Sequence, residues 1–250
     1  MRIDEACRDS DARAFGGIFL TELPSAPRPW TSEIGLRLRR YLALKLIGTT
    51  VFAWIFFIGY FHLLRHPTFP VTVMPLTALD ASIPFQPYLL IAYLSLWVYV
   101  GVAPGLQLTL RGLLVYSLWM AALCASGLLC FYLWPTRVPP MMLDSVAAPG
   151  FALLRRVDAA GNACPSLHVA AAIFTAIRIE DVLRRALTPI ALRLLNVAWF
   201  GAIAYSTLAV KQHVVLDLIA GALLGAVFAL VSLRFTARAP GSMRPAVHVS

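Results

Sequence analysis

Charged side chains are scarce in this chain of 250 residues, because only 13% are Asp, Glu, Lys or Arg while 60% are hydrophobic. Soluble domains carry about 25% charged residues. A water-soluble globule of this size could not hide so many apolar side chains. A disordered chain would be far more polar. The composition therefore predicts an integral membrane protein with little room for a separate soluble domain.

Cysteine is also rare, and the four thiols follow no recognisable pattern. Cys7, Cys124, Cys130 and Cys164 have neither the spacing of metal ligands nor that of a disulfide framework. The sequence also lacks a basic stripe with interleaved aromatic residues, so no nucleic-acid partner is expected. No apolar core leads the first 30 residues, and we therefore expect no secretory signal.

Five apolar runs are long enough to cross a bilayer, which takes roughly 20 apolar residues. They are Tyr41–Leu64, Pro87–Gln107, Gly112–Trp134, Leu194–Val210 and Val214–Leu233.

A sixth, weaker candidate starts near Ser166. Its apolar part, Leu167–Ile177, is too short to span at about 1.5 Å per residue. We expect this helix to continue through Leu183, with its charged residues, including Arg178, at the far membrane surface.

The distribution of positive charge supports six spans. With the N-terminus inside, 16 of the 21 Lys and Arg residues lie in inner segments. The predicted fold is an all-α polytopic membrane helix bundle of six transmembrane helices with both termini cytoplasmic. Residues 1–35 are predicted as a mobile cytoplasmic tail, 36–236 as the membrane domain and 237–250 as a cytoplasmic C-terminal tail.

Chemically reactive residue types concentrate on the predicted outer side. Asp217 lies within a span, where a carboxylate costs about 2.5–3.5 kcal/mol and is a functional candidate. It follows His213 by four residues, so both lie on one helix face. The carboxylate can fix the imidazole tautomer and leave the other ring nitrogen as a nucleophile or base. A polar pair that only packs two helices together is an equal alternative.

A second outer segment leads into the sixth helix candidate. Ser166 is a predicted N-cap, and free amides at such a helix start attract anions. His168, in the first turn, would sit beside a bound phosphate as a general acid. The alternative is a histidine that merely faces water at the interface.

Positive charge for a phosphoryl group would come from Arg137 and Lys211, in two further outer segments. An outer arginine can also simply meet lipid headgroups. Cys164 suggests a thiol nucleophile, but the histidine pair explains more of the pattern.

Taken in order, these residues resemble the type 2 phosphatidic acid phosphatase superfamily of lipid phosphatases and haloperoxidase relatives. The family pattern is Lys-x6-Arg-Pro, then Pro-Ser-x-His, then Ser-Arg-x5-His-x3-Asp. Pro165–His168 matches the second element in full, and Ser206, His213 and Asp217 match the third at the right spacing.

Three positions depart from that pattern. Thr207 stands in place of the family arginine, Cys130 in place of its lysine, and Arg137 is separated from Pro139 by a valine. If the chain is helical there, Lys211 lies one turn from Thr207 and could compensate. The variant resembles the branch containing inositol-phosphorylceramide and sphingomyelin synthases, which move a phospho-headgroup between lipids.

The resemblance implies a mechanism. His213 attacks phosphorus to give a phosphohistidine, oriented by Asp217, while His168 protonates the departing lipid oxygen and then activates the acceptor. Arg137, Ser166 and Lys211 hold the phosphate. Neither a metal nor a cofactor is implied, because the basic side chains carry the charge.

The expected function is hydrolysis of a lipid phosphate monoester or pyrophosphate at the extracytoplasmic face of the bilayer. The alternative is a phosphotransferase that moves an inositol-phosphate or phosphocholine headgroup to a lipid hydroxyl. A less favoured hypothesis is a membrane protein whose two histidines hold haem or a metal. The expected location is a bacterial inner (plasma) membrane, with the site facing the periplasm or exterior.

Overall fold

The computed structural model describes residues 29–139 and 162–236, and these form a bundle of α-helices. The helices are α1 (Trp30–Arg39), α2 (Leu42–Arg65), α3 (Ala78–Ser82), α4 (Leu90–Leu94), α5 (Leu96–Gly105), α6 (Leu110–Leu133), α7 (Leu167–Arg185), α8 (Ile190–Ala209) and α9 (Val215–Thr236). A 3₁₀ turn, Pro87–Leu89, precedes α4, and the strands β1 (Thr72–Val73) and β2 (Thr136–Arg137) contain two residues each.

Five helical stretches in the described ranges are long and apolar enough to cross a membrane. They are Leu42–Arg65, Pro87–Gly105, Leu110–Leu133, Ile190–Ala209 and Val215–Phe235. Each coincides with one of the predicted apolar runs. The prediction of a polytopic helical bundle is confirmed.

Helix α7 is the sixth long helix, and it lies in the middle of the bundle. It packs against α9, α8, α5 and α6, and its buried side chains include Val169, Phe174 and Arg178. Protein surrounds this helix, so its sequence does not need the apolar length of a lipid-facing span. Arg178, which the sequence predicts to lie at the far membrane surface, is enclosed by the surrounding helices. Its side chain is 1% exposed, and Nη1 lies 3.5 Å from Ser232 Oγ on α9.

One end of the bundle is fastened by a buried lysine. Lys45 Nζ donates to the backbone carbonyls of Arg37 (2.6 Å) and Gly105 (2.7 Å), which joins α1, α2 and α5. Helix α1 begins at Trp30, so the last residues of the predicted N-terminal tail, from Trp30 to residue 35, are helical. Its residues 1–28, and the predicted tail 237–250, lie outside the described residues.

The other end, called the site end below, carries the connections β1, β2 and α3 and the starts of α7 and α9. The strands pair in parallel, with Thr72 opposite Thr136 and Val73 opposite Arg137. Thr136 also bridges to Asn162, whose Nδ2 donates to the Tyr60 carbonyl at 3.0 Å. The connection that follows α2 and the connection between α6 and α7 thus meet at one end of the helices.

Candidate active site

The start of α7 is tied directly to the start of α9. Ser166 is the N-cap of α7, as predicted, and its hydroxyl accepts a hydrogen bond from the Val169 amide at 3.3 Å. The Ser166 amide donates to the Asp217 carbonyl at 3.0 Å. This bond places Pro165–His168 beside the segment that carries His213 and Asp217.

Two glycines of α9 permit this close approach. A Cβ at Gly221 would collide with the Ser166 carbonyl oxygen, and one at Gly225 would collide with the Ala170 carbonyl oxygen. The two residues form a small-xxx-small pair, a spacing that is typical of close helix packing. The structure confirms that role, because α9 packs backbone to backbone on α7.

His168 lies buried between aromatic rings of the second span. The Tyr93 ring stacks on its imidazole at a centroid distance of 4.0 Å and an angle of 16°. Trp97 meets it edge-on at 6.3 Å, and a further hydrogen bond joins the imidazole to the Tyr93 backbone. Nε2 is buried and has no hydrogen-bond partner within the described part of the chain. One nitrogen of a tightly held ring is thus left for another group.

His213 and Asp217 face each other across one turn. His213 Nδ1 lies 3.5 Å from Asp217 Oδ2. The same carboxylate oxygen accepts the Val214 amide at 3.1 Å, which fixes the orientation of a fully buried acid. The distance to the imidazole is longer than an ordinary hydrogen bond. Such bonds are often long in unliganded sites and shorten in the complex.

The segments that carry the two histidines come together although 45 residues separate His168 from His213 in the sequence. Both belong to the site end, joined through Ser166 and Asp217. Among the described residues, no group of three His, Cys, Asp or Glu side chains has an arrangement that could hold a metal ion.

Arg137 is the second residue of β2, in the small sheet at the site end. The Arg137 carbonyl accepts from the Met74 amide at 2.9 Å. Its neighbour Thr136 accepts the Cys164 amide on Oγ1 at 2.7 Å. Arg137 Nε is buried and meets no hydrogen-bond acceptor in residues 29–139 and 162–236. The backbone of Arg137 is thereby held at the site end, next to the residue that bonds to Cys164.

Lys211 is placed differently from the sequence-based expectation. Helix α8 ends at Ala209, and Lys211 has a left-handed backbone with a φ of 59°. It is therefore not one helical turn from Thr207, as a continuing helix would make it. Its ammonium donates to the carbonyls of Asp80 (3.2 Å) and Ile83 (2.5 Å). Burial lowers the pKa of Lys211, and the nearby Asp80 carboxylate opposes that shift.

The cysteine beside the site is chemically quiet. Burial raises the pKa of Cys164 to about 11, and the Asp217 carboxylate acts in the same direction. The reactive species of a cysteine is the thiolate. Cys164 is therefore a neutral thiol at physiological pH, as the preference for the histidine pair suggests.

Sequence reasoning missed three residues at the site end. Tyr93 and Trp97 resemble ordinary apolar span residues, and nothing in the sequence indicates their contact with His168. Asp80 is 2% exposed and sits in a capping box with Thr77. The Thr-x-x-Asp spacing could have revealed this short helix.

The bundle, its apolar helices and the histidine pair at one end define a polytopic membrane protein with a site at the end of its helices. The model of the PAP2 superfamily matches residues 115–240. That match covers half of the chain, and the chain belongs to the PAP2 superfamily. Comparisons with curated proteins and with solved structures gave no match. Family membership and the apolar helices support a membrane protein of the phosphatase or phosphotransferase type.

Proposed function

We propose that the protein is an integral membrane lipid phosphatase that works through a phosphohistidine on His213. The observation that carries this proposal is the arrangement at the site end. His213 keeps Nδ1 toward Asp217 at 3.5 Å, which leaves Nε2 for attack. His168, whose Nε2 has no partner among the described residues, lies on the segment that bonds to Asp217 through Ser166. A nucleophile, an orienting acid and a proton donor are the parts that covalent phosphoryl transfer needs.

The first step is displacement at phosphorus. His213 Nε2 forms a bond to phosphorus, and the bond between phosphorus and the lipid oxygen breaks. His168 gives its proton to that oxygen, so the lipid leaves as an alcohol. In the second step His168 takes a proton from water, the water oxygen bonds to phosphorus, and the phosphorus–nitrogen bond breaks. Free phosphate and unmodified His213 result.

The phosphate is held by cationic and amide groups. Arg137 brings a guanidinium, and the Ser166 end of α7 brings helix amides. The Lys211 ammonium donates hydrogen bonds to two carbonyls. Its third N–H and its positive charge are left for a phosphate oxygen. These groups stabilise charge on the transferring phosphoryl group and require no metal.

Transfer to a lipid hydroxyl is the second candidate. The replacement of the family arginine by Thr207 and of its lysine by Cys130 favours it, since both changes resemble the synthase branch. A lipid hydroxyl would then replace water in the second step. In either case we propose that the site faces the exterior, because 16 of the 21 Lys and Arg residues lie in segments toward the opposite side. A bacterial inner membrane fits this orientation, with the site toward the periplasm.

A lipid panel with the purified full-length protein tests both candidates. Lipid phosphates and pyrophosphates are supplied with and without a diacylglycerol or ceramide acceptor, in the presence of EDTA. Free phosphate and new phospholipid are measured together. The phosphatase releases phosphate without an acceptor, whereas the transferase forms a new lipid and little phosphate. His213→Ala should abolish both products.

A matched control is available directly after the last residue of α2. His66 is an exposed histidine, and His66→Ala should retain wild-type turnover. Full turnover by His213→Ala, or turnover that depends strictly on a divalent metal, would contradict the proposal.

A further inference from the structure

Asp80 is a buried carboxylate at the site end that the proposed mechanism does not use. Its Oδ1 accepts the Val215 amide at 2.8 Å. Its Oδ2 accepts the Thr77 amide at 2.8 Å and the Thr77 hydroxyl at 2.7 Å. Three donors hold this carboxylate in one orientation. One of them is the first residue of α9, the helix that carries Asp217.

Two further hydrogen bonds join the segment before α9 to α3, with the donor now on the α9 side. Lys211 Nζ donates to the carbonyls of Asp80 and Ile83 at the end of α3. Lys211 and Val215 stand on either side of His213 in the sequence. The outer clasp, defined as Asp80, Ile83, Lys211 and Val215, therefore brackets the residue proposed to be the nucleophile.

The clasp complements the bond that Asp217 makes within its own helix. Asp217 Oδ2 holds the Val214 amide at 3.1 Å, and Asp80 Oδ1 holds the next amide, that of Val215. Two carboxylates from distant parts of the chain thus fix consecutive amides at the start of α9. The bend between His213 and α9 determines how the imidazole meets Asp217.

We propose that Asp80 is a positioning residue for His213, and this inference rests on the proposed function. Asp80 does not touch the reacting atoms. It acts through the Val215 amide and the Lys211 segment, which together set the His213–Asp217 geometry. Asp80 precedes residues 115–240, the stretch that matches the family model. The residue proposed to position His213 therefore lies in the other half of the chain.

Steady-state kinetics of single variants of the full-length protein test the inference. Asp80→Ala removes the acceptor and should lower kcat by about 10²-fold, since small misplacements of a reacting group cost that much. KM should change far less, because phosphate binding remains. Asp80→Asn keeps an oxygen that can accept from Val215 and should recover most of the kcat.

Two further variants separate positioning from folding. Thr77→Ala removes one donor to Asp80 Oδ2 but keeps the Val215–Asp80 bond, and should lower kcat far less than Asp80→Ala. Val215→Pro replaces the donated N–H by a ring CH₂, at a first helical position where proline is tolerated, and should reproduce the kcat loss of Asp80→Ala. Val215→Pro thus tests the bond even where Asp80→Ala does not fold. Thermal melting in detergent reports the integrity of each variant.

Equal kcat losses in Asp80→Ala and Thr77→Ala would overturn the positioning role. So would wild-type kcat in Val215→Pro, or an Asp80→Asn variant no better than Asp80→Ala. His213→Ala is measured alongside as a test of the proposed function. If His213→Ala keeps full turnover, the proposed function fails. If it is inactive while Asp80→Ala matches Thr77→Ala, only the inference about Asp80 fails.

Discussion

His213 and His168 are held by very different neighbours, and the difference suits their proposed roles. Asp217 faces one nitrogen of His213, so the carboxylate can stabilise positive charge on a phosphorylated or protonated ring. His168 instead lies against Tyr93 and Trp97, which orient the ring without a charged partner. An acid–base group needs such an orientation more than it needs a permanent counter-ion.

The contribution of Asp217 can be measured by removing only its charge. Asp217→Asn keeps the size of the side chain and leaves an oxygen for the Val214 amide, but His213 loses its carboxylate. We expect kcat to fall by about 10³–10⁴-fold, as for other orienting acids beside a catalytic histidine. Phosphate release from the best lipid substrate measures this. A loss below about tenfold would show that the pair serves packing.

Cys164 provides a pH-dependent test of the neutral-thiol assignment. Because its pKa is raised to about 11, the thiolate forms only as pH rises toward that value. Alkylation by iodoacetamide at pH 7–8 should be slow in the folded protein and fast after denaturation, as read by peptide mass spectrometry. Cys164→Ser should keep turnover within about threefold. Rapid labelling at pH 7, or an inactive Cys164→Ser, would favour a thiol nucleophile.

Between helices, the contact of α9 with α7 determines whether the two motif segments meet. The Ser166–Asp217 backbone bond exists only because Gly221 presents no side chain at that point. The same spacing repeats one turn later at Gly225. Packing and catalysis are therefore coupled through two glycines that carry no chemistry themselves.

Gly221→Ala should damage stability and activity together. The added methyl group meets backbone, which cannot rotate away, so overpacking should cost about 1–3 kcal/mol. Thermal melting in detergent and phosphate release measure the two effects.

Gly201→Ala on α8 is the matched control, because a Cβ at that position has nothing within 4 Å. It should be neutral or slightly stabilising, since alanine favours a helix over glycine by about 0.5–1 kcal/mol. Equal behaviour of the two variants would show that the close helix contact is unimportant.

Most helix positions could be predicted, because apolar length is a local property of the sequence. The polar content of α7 obscured its place in the centre of the bundle, since burial of Arg178 depends on the helices around it. The second span is divided at Ser95 into α4 and α5, and no proline or glycine marks that division. Such features depend on tertiary contacts that a single sequence does not reveal.

The candidate site divides in the same way. Pro165–His168 and the His213–Asp217 pair were identified from spacing, and the structure brings their segments together. The sequence predicts Lys211 as a phosphate ligand, but its bonds to Asp80 and Ile83 depend on a connection more than 120 residues earlier. Motif spacing does not predict such contacts between the two halves of the chain.

Within residues 29–139 and 162–236, the six long helices run in alternating directions, so α2 begins and α9 ends at the end of the bundle opposite the site end. The excess of Lys and Arg at the opposite end predicts that this end is cytoplasmic. A tag at the C-terminus should therefore be inaccessible to a protease added outside intact cells. Cleavage of that tag in intact cells would reverse the proposed orientation.

Trapping of the covalent intermediate tests the role of His213 most directly. The full-length protein is mixed with a ³²P-labelled lipid phosphate, quenched in alkali within the first turnovers, and the labelled peptide is identified. Alkali-stable, acid-labile label on His213, absent from His213→Ala and present in His66→Ala, is the predicted result. Label on another residue, or equal labelling of His213→Ala, would contradict the phosphohistidine mechanism.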